Sequence, residues 1–241
     1  DVWGCFGGDD TVYYLFNSYA YKFAHIDNFG YVEYDFGKDK SITVMQDIFL
    51  DVMYADYYFN LEADKALLEE GEHLFTESNS LFYSSLVKDT TTKLKNMPDL
   101  YGILPHPMLD EDQDDYSALV WVHHDSIVGI PSGAINPEMC AVVLEALSYE
   151  GYYTVTPVLY ETILYGRAAK TAEAKRSLQI IFETRSYDPG QYWDKPAGLQ
   201  DQLLRLCNKG TSDIQSLIST YIGQTYEEIS KVNEFVDKKA D

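Results

Sequence analysis

Five carboxylates crowd six positions at Asp110-Glu111-Asp112-Gln113-Asp114-Asp115, a D-x-D-x-D run of the kind that ligates calcium. An EF-hand loop needs glycine at its sixth position and glutamate at its twelfth, and here those places hold Asp115 and Trp121. The run therefore reads as a solvated acidic loop, and no metal is expected. His123-His124-Asp125 interrupts an apolar, β-branched stretch from Ala118 to Ile130 that reads as a strand. Neighbouring strand residues point to opposite faces, so these two imidazoles are not expected to share an ion. Cys5, Cys140 and Cys207 are far apart and odd in number, with no C-x-x-C pair to support a zinc ribbon or a thioredoxin-type site. Each reads as a small buried hydrophobe, and Cys140, on the apolar stretch of a helix, as an inert buried thiol. The chain has no G-x-S-x-G, P-loop, H-E-x-x-H or dinucleotide fingerprint. Gly4-Cys5-Phe6-Gly7-Gly8 is glycine-rich but lacks that fingerprint's spacing and a preceding strand. No carboxylate pair stands out for glycosidase chemistry. The expectation is a protein that is not an enzyme and carries no cofactor.

The 241 residues are 46% hydrophobic and 24% charged, enough apolar material for a sizeable core and too much for a disordered chain. No run approaches the roughly 18 uninterrupted apolar residues of a membrane span. Eighteen basic against 39 acidic side chains leave a net charge of −21, which repels phosphate backbones and argues against nucleic acid as a partner. Tyrosine is the oddity: its 21 copies outnumber lysine and arginine together. Its flat apolar ring with a polar tip suits packing between helices, and equally interfaces and sugar-binding surfaces. The chain opens on Asp1-Val2-Trp3 without an initiator Met or a secretory leader, and reads as starting after processing or inside a longer protein.

The elements that must position any site follow from periodicity. Residues 11–26 read as an aromatic helix, Asp27-Asn28-Phe29-Gly30 as a turn and 31–36 as a short strand. Helical spacing returns over 40–58, and 61–71 reads as a charged helix ending at a glycine. Strands are expected at 81–87 and 101–105, with a short helix near 90–97 between them. Asn136-Pro137-Glu138 starts a helix: asparagine caps, proline takes the first turn and glutamate faces the positive end. Its Met139, Val142, Val143, Ala146 and Leu147 share one broad face. Thr156-Pro157 repeats the start signal before 158–165, Thr171 opens another helix, and Asp188–Trp193 reads as a loop. The last helix is the longest, with Ile214, Leu217, Ile218, Tyr221, Ile222, Ile229, Val232 and Val236 in one seam. Helices with scattered short strands define an α/β chain in which helices predominate.

Several segments in a fixed order carry a resemblance. Tyr101-Gly102-Ile103-Leu104-Pro105-His106-Pro107, then Asp110-Glu111, Gln113 and Tyr116, resembles a signature of the extracellular solute-binding proteins of bacterial ABC importers, carbohydrate branch. Ile130-Pro131, Asn136-Pro137-Glu138 and 143–150 look like that family's next helix. Thr154 to Glu161 is similar to its following segment, as is Phe182 to Asp188. Glu72 to Tyr83 adds a further likeness. The stretch Ala118–His124 and His106 depart from the pattern. The resemblance implies a periplasmic-binding-protein-like fold of type II, helix-rich, of which this chain would hold the second lobe plus part of the first. Residues 1–100 and 150–241 would build the second lobe, and 101–149 would cross back to the first, whose remainder would lie upstream. It further implies capture of a sugar or oligosaccharide and its delivery to importer permease subunits. The setting would be extracellular: periplasmic, or at the cell surface through an upstream lipid anchor. Trp3, Phe6, Ser84, Ser85, Tyr192 and Trp193 would contact the ligand, Trp3 and Phe6 near the hinge and Ser84 and Ser85 at the end of a cleft-edge strand. Alternative readings keep the fold with a peptide, polyamine or other cationic solute, which the net charge favours, or take a polysaccharide-degrading enzyme domain. Half of a cleft is expected to bind weakly, because enclosure is what strips water from a ligand.

Overall fold

A computed structural model describes residues 2–38, 40–62, 73–124, 128–161, 170–193, 198–207 and 213–240. It is mixed α/β, with helices outweighing small sheets. The chain divides into two compact units: Asp1–Ser85 with Pro105–Val122 and Ile180–Asp241, and Leu86–Leu104 with His123–Gln179. Among the described residues, no helix is long and apolar enough to cross a membrane.

In the first unit, β1 (Trp3–Gly7) is the middle strand of a three-stranded sheet and runs parallel to both neighbours, β4 (Tyr58–Asn60) and β5 (Ser80–Ser84). The glycine-rich opening is thus itself the strand, not a loop that follows one. The register sets Gly7 opposite Asn60 on one side and Ser84 on the other, so three strands end level. Helix α1 (Thr11–Ser18) follows directly, and every one of its residues is buried. Tyr13, Phe16 and Phe23 pack with Phe36 and Trp121 in an aromatic core, Tyr13 to Phe23 at 5.6 Å and Tyr13 to Trp121 at 5.3 Å between ring centres. Most of that core is tyrosine or phenylalanine, which fits tyrosine as packing material.

The expected helix over 11–26 stops at Ser18, where Ala20 takes a left-handed φ of 63°. Beyond it the backbone N–H groups of Phe23 and Ala24 are held by the Asp188 carboxylate at 2.8 and 3.1 Å, so the chain turns into β2 (Ala24–Ile26). β2 pairs antiparallel with β3 (Val32–Tyr34) across the expected turn. The 40–58 periodicity appears as α2 (Ser41–Ile48), which runs on through a wider turn at Phe49–Met53. The charged helix expected over 61–71 lies mostly outside the described residues.

Two strand readings and one loop reading change. Residues 101–108 form no strand. Of the described residues in 118–130 only β6 (Ala118–Leu119) pairs, with β7 (Arg185–Ser186), and the chain then curls into a 3-10 turn at Val122–His124. Burial of Trp121 against Tyr13 and Tyr14 accompanies the break, its one large ring drawn into the aromatic core. The two histidines are therefore consecutive on a turn, not on opposite strand faces. The loop read at 188–193 closes into one helical turn, Gly190–Trp193.

The final helix, Ile214–Ala240, is as expected the longest among the described residues. Ile214, Ile218, Thr225 and Ile229 bury one seam. Its far end is pinned to β3, where the Asn233 side chain accepts from Val32 N at 2.9 Å and donates to Val32 O at 3.0 Å.

In the second unit, helix α3 (Pro137–Glu150) begins as its sequence dictates, with Asn136 Oδ1 accepting from Met139 N at 3.0 Å. It does not stop for a second start at Thr156-Pro157. The helix widens to π-type bonding at Gly151–Val155 and continues through Thr156–Val158. Pro157 has no N–H to give, and a widened turn is how a helix absorbs that loss. No residue of Pro137–Val158 is buried. Cys140 is accordingly half-buried, not enclosed.

Candidate functional site

The level ends of β4, β1 and β5 face the turn that starts α1, the place where open α/β sheets hold ligands. Gly7 lets three groups close in. A Cβ there would lie 2.6 Å from Thr11 Oγ1, 2.9 Å from the Tyr58 hydroxyl and 3.0 Å from the Ser84 carbonyl oxygen. The Thr11 hydroxyl donates to Ser84 Oγ at 3.1 Å, and Ser84 Oγ lies 3.0 Å from His106 Nε2. Tyr58 donates to the Gly8 carbonyl at 3.0 Å.

Next to this chain of hydroxyls stand three carboxylates. Asp9, Asp10 and Glu62 each bring an oxygen within 4.8 Å of the others, a group that among the described residues could hold a cation. Glu62 accepts from Asp9 N at 2.8 Å, and Asp10 accepts from the Tyr14 hydroxyl at 2.9 Å. Asp9 and Asp10 precede the first turn of α1, where the positive end of the helix favours negative charge. Burial, then the charge of Glu62, and then Asp10 push the Asp9 carboxyl up to about 7. At neutral pH Asp9 is therefore partly protonated, and the cluster holds less than its full formal charge.

Burial pushes the His106 imidazole down to about 4, so the ring is neutral at physiological pH. In the tautomer with its proton on Nδ1 the neutral ring accepts at Nε2, and Thr11, Ser84 and His106 then form one line of donation. Cys207 is buried beneath the turn, with its Sγ 3.7 Å from the Asp9 carbonyl. Burial and the nearby acids push its thiol far up, away from thiolate chemistry. The site is thus a small polar patch of carboxylate and hydroxyl acceptors, suited to a ligand rich in O–H or N–H donors.

Of the residues expected at a ligand, Ser84 is in this patch and Ser85 follows it at the strand's end. Phe6 is fully buried and stacks on Tyr83 at 4.2 Å with the planes 3° apart, so its ring belongs to the core. Trp3 is half-buried, edge-on to Phe59 at 5.0 Å at the opposite end of β1. Tyr192 is half-buried on the Gly190–Trp193 turn, and the Trp193 side chain lies outside the described residues. Asp9, Asp10, Thr11 and Glu62 were not expected. A Gly-Gly-Asp-Asp-Thr junction between a strand and a helix was the available signal, hidden because the strand was not recognised. The acidic run at 110–115 is exposed as read, and Gln113 ties it to the end of α1 by donating to the Ser18 carbonyl at 2.8 Å. No family model, curated protein or solved structure matches this chain.

Proposed function

We propose that the chain is the solute-capturing component of a bacterial ABC importer, acting outside the cytoplasm and handing a sugar or oligosaccharide to the permease. The observation that carries the proposal is the polar patch at the ends of the three parallel strands. Carboxylates and serine or threonine hydroxyls are the groups that accept and exchange hydrogen bonds with a sugar's hydroxyls. They sit where the resemblance puts the end of a cleft-edge strand, at Ser84. The aromatic platforms a sugar also needs would come from Tyr192 and Trp193, named by the resemblance. Nothing in the patch is arranged as an activated nucleophile, which favours binding over hydrolysis: the Ser84 partner, His106, is a weak base at about 4.

A second reading has an observation of its own. Three carboxylates packed within 4.8 Å favour a cationic solute, such as a polyamine or the amine of a peptide. Titration of the chain with a sugar panel and, separately, with spermidine, read by tryptophan fluorescence, decides between them. The expected result is saturable binding of a sugar in the millimolar range that is lost in Ser84→Ala and Asp10→Asn. Spermidine binding lost in Asp9→Asn or Glu62→Gln, with no sugar response, would replace the first reading by the second. No saturable response to either would overturn the assignment of this patch.

A further inference from the structure

Within the second unit, the described residues leave the helical segment 137–161 without a covering layer. Ten of its large apolar side chains, among them Val142, Leu147, Tyr152 and Val158, stay 42–67% exposed. Together they present on the order of 1,000 Å² of apolar surface, where an isolated monomer rarely shows more than a few hundred and a stable partner covers about 800. The exposed positions run around much of the helix. A helix apolar on most sides belongs inside a protein layer.

Charge says what that layer must be. Glu138, Glu145, Glu150 and Glu161 are the ionisable groups along 137–161 with a formal charge at neutral pH, and the segment has no lysine or arginine. A second copy would bring four more carboxylates to a chain already at −21, and an anionic membrane surface would be repelled in the same way. We infer that this helix is the docking face for a partner polypeptide whose contact surface is apolar at its centre and rimmed by lysine or arginine. The inference uses none of the residues of the polar patch, which belong to the other unit.

The test uses two synthetic amphipathic helical peptides, one of leucine and lysine and its leucine and glutamate counterpart. They are titrated by calorimetry into the wild-type chain and into the double variant Val142→Glu with Leu147→Glu. Both positions are 64% exposed, so the variant is expected to fold, and its far-UV circular dichroism should match the wild type. The expected result is one-to-one binding of the lysine peptide, weakened tenfold or more in the variant, with no binding of the glutamate peptide. The variant adds two negative charges, so attraction driven by net charge alone would strengthen the lysine peptide's binding instead. Equal or tighter binding by the variant overturns the inference. So does sedimentation showing a wild-type dimer at micromolar concentration that the variant dissolves, because the occupant would then be a second copy.

Discussion

The Asp188 side chain is the sharpest place to perturb this fold. Its carboxylate is 2% exposed and accepts from three backbone N–H groups: Phe23 at 2.8 Å, Ala24 at 3.1 Å and Gly190 at 2.9 Å. Asp188→Ala orphans all three donors. At about 1–3 kcal/mol for each buried group left unpaired, moderated by entering water, the loss should be about 3–6 kcal/mol. That is a large part of the roughly 5–15 kcal/mol of a typical domain. Asp188→Asn separates charge from shape. Burial pushes the carboxyl up to about 6 from 3.8, although the three N–H groups pull it down. A folded value above the unfolded one means the stabilising contribution is full at low pH and is lost as pH rises through about 6. The gap corresponds to at most about 3 kcal/mol. Urea denaturation followed by Trp121 fluorescence, at pH 4.5 and pH 8, gives the comparison. The Asn amide nitrogen donates and cannot accept on one side of this group, so Asp188→Asn should be less stable than the wild type at the lower pH, and the difference should move in the variant's favour by about 1–2 kcal/mol at the higher. A difference between variant and wild type that stays constant, or that moves towards the wild type as pH rises, would refute the reasoning, because the carboxyl would then not be held up by burial.

Other outcomes follow from single contacts. Gly7→Ala should cost about 1–3 kcal/mol, because its Cβ meets Thr11 Oγ1 at 2.6 Å and the Ser84 backbone at 3.0 Å; an unchanged melting temperature would contradict this. Asp9 is held up at about 7, so its contribution is also lost as pH rises. Asp9→Asn should therefore raise the melting temperature at pH 8 by about 2–4 °C and leave it unchanged at pH 5. His106 has the opposite sign: its folded value of about 4 lies below the free value, so stability is full above about 6.5 and falls as pH drops towards 4. The ring should show its NMR titration near 4, and a midpoint above 6 would contradict its burial. Asn233→Ala removes both bonds to Val32 and should cost about 1–3 kcal/mol, read by denaturation.

What could be read from the sequence was whatever depends on neighbours along the chain. The cap at Asn136 needs only Met139 three residues on, and it formed as read. The seam of Ile214–Ala240 is a repeating local pattern, and four turns of it pack. Tertiary partners defeated the other readings. Residues 19–26 keep a helix-like spacing of aromatics, yet the acceptor that decides their fate is Asp188, more than 160 positions away. The apolar run from Ala118 ends as a strand where the Trp121 ring packs on Tyr13 and Tyr14. The broad apolar face of Pro137–Glu150 was legible as a pattern, but a pattern specifies burial without naming the layer that provides it.

The candidate site was hidden by a related logic. Its members, Asp9, Thr11, Glu62, Ser84 and His106, come from four separate stretches, and no spacing rule joins them. They meet because β1 is a middle strand with a parallel partner on each side. Parallel pairing forces long crossovers and brings distant strand ends level. Once Gly7, Asn60 and Ser84 are in register, the strand ends and the residues within two positions of them are carried to the same edge whatever their identity. The geometry thus comes from backbone register, and the chemistry from which side chains occupy those few following positions. In this chain they include the acids Asp9 and Glu62 and the Ser84 hydroxyl, with the glycine at 7 keeping room for them. Changing Glu62 or Ser84 should therefore alter what the edge binds while leaving the sheet intact, whereas changing Gly7 should disturb both at once.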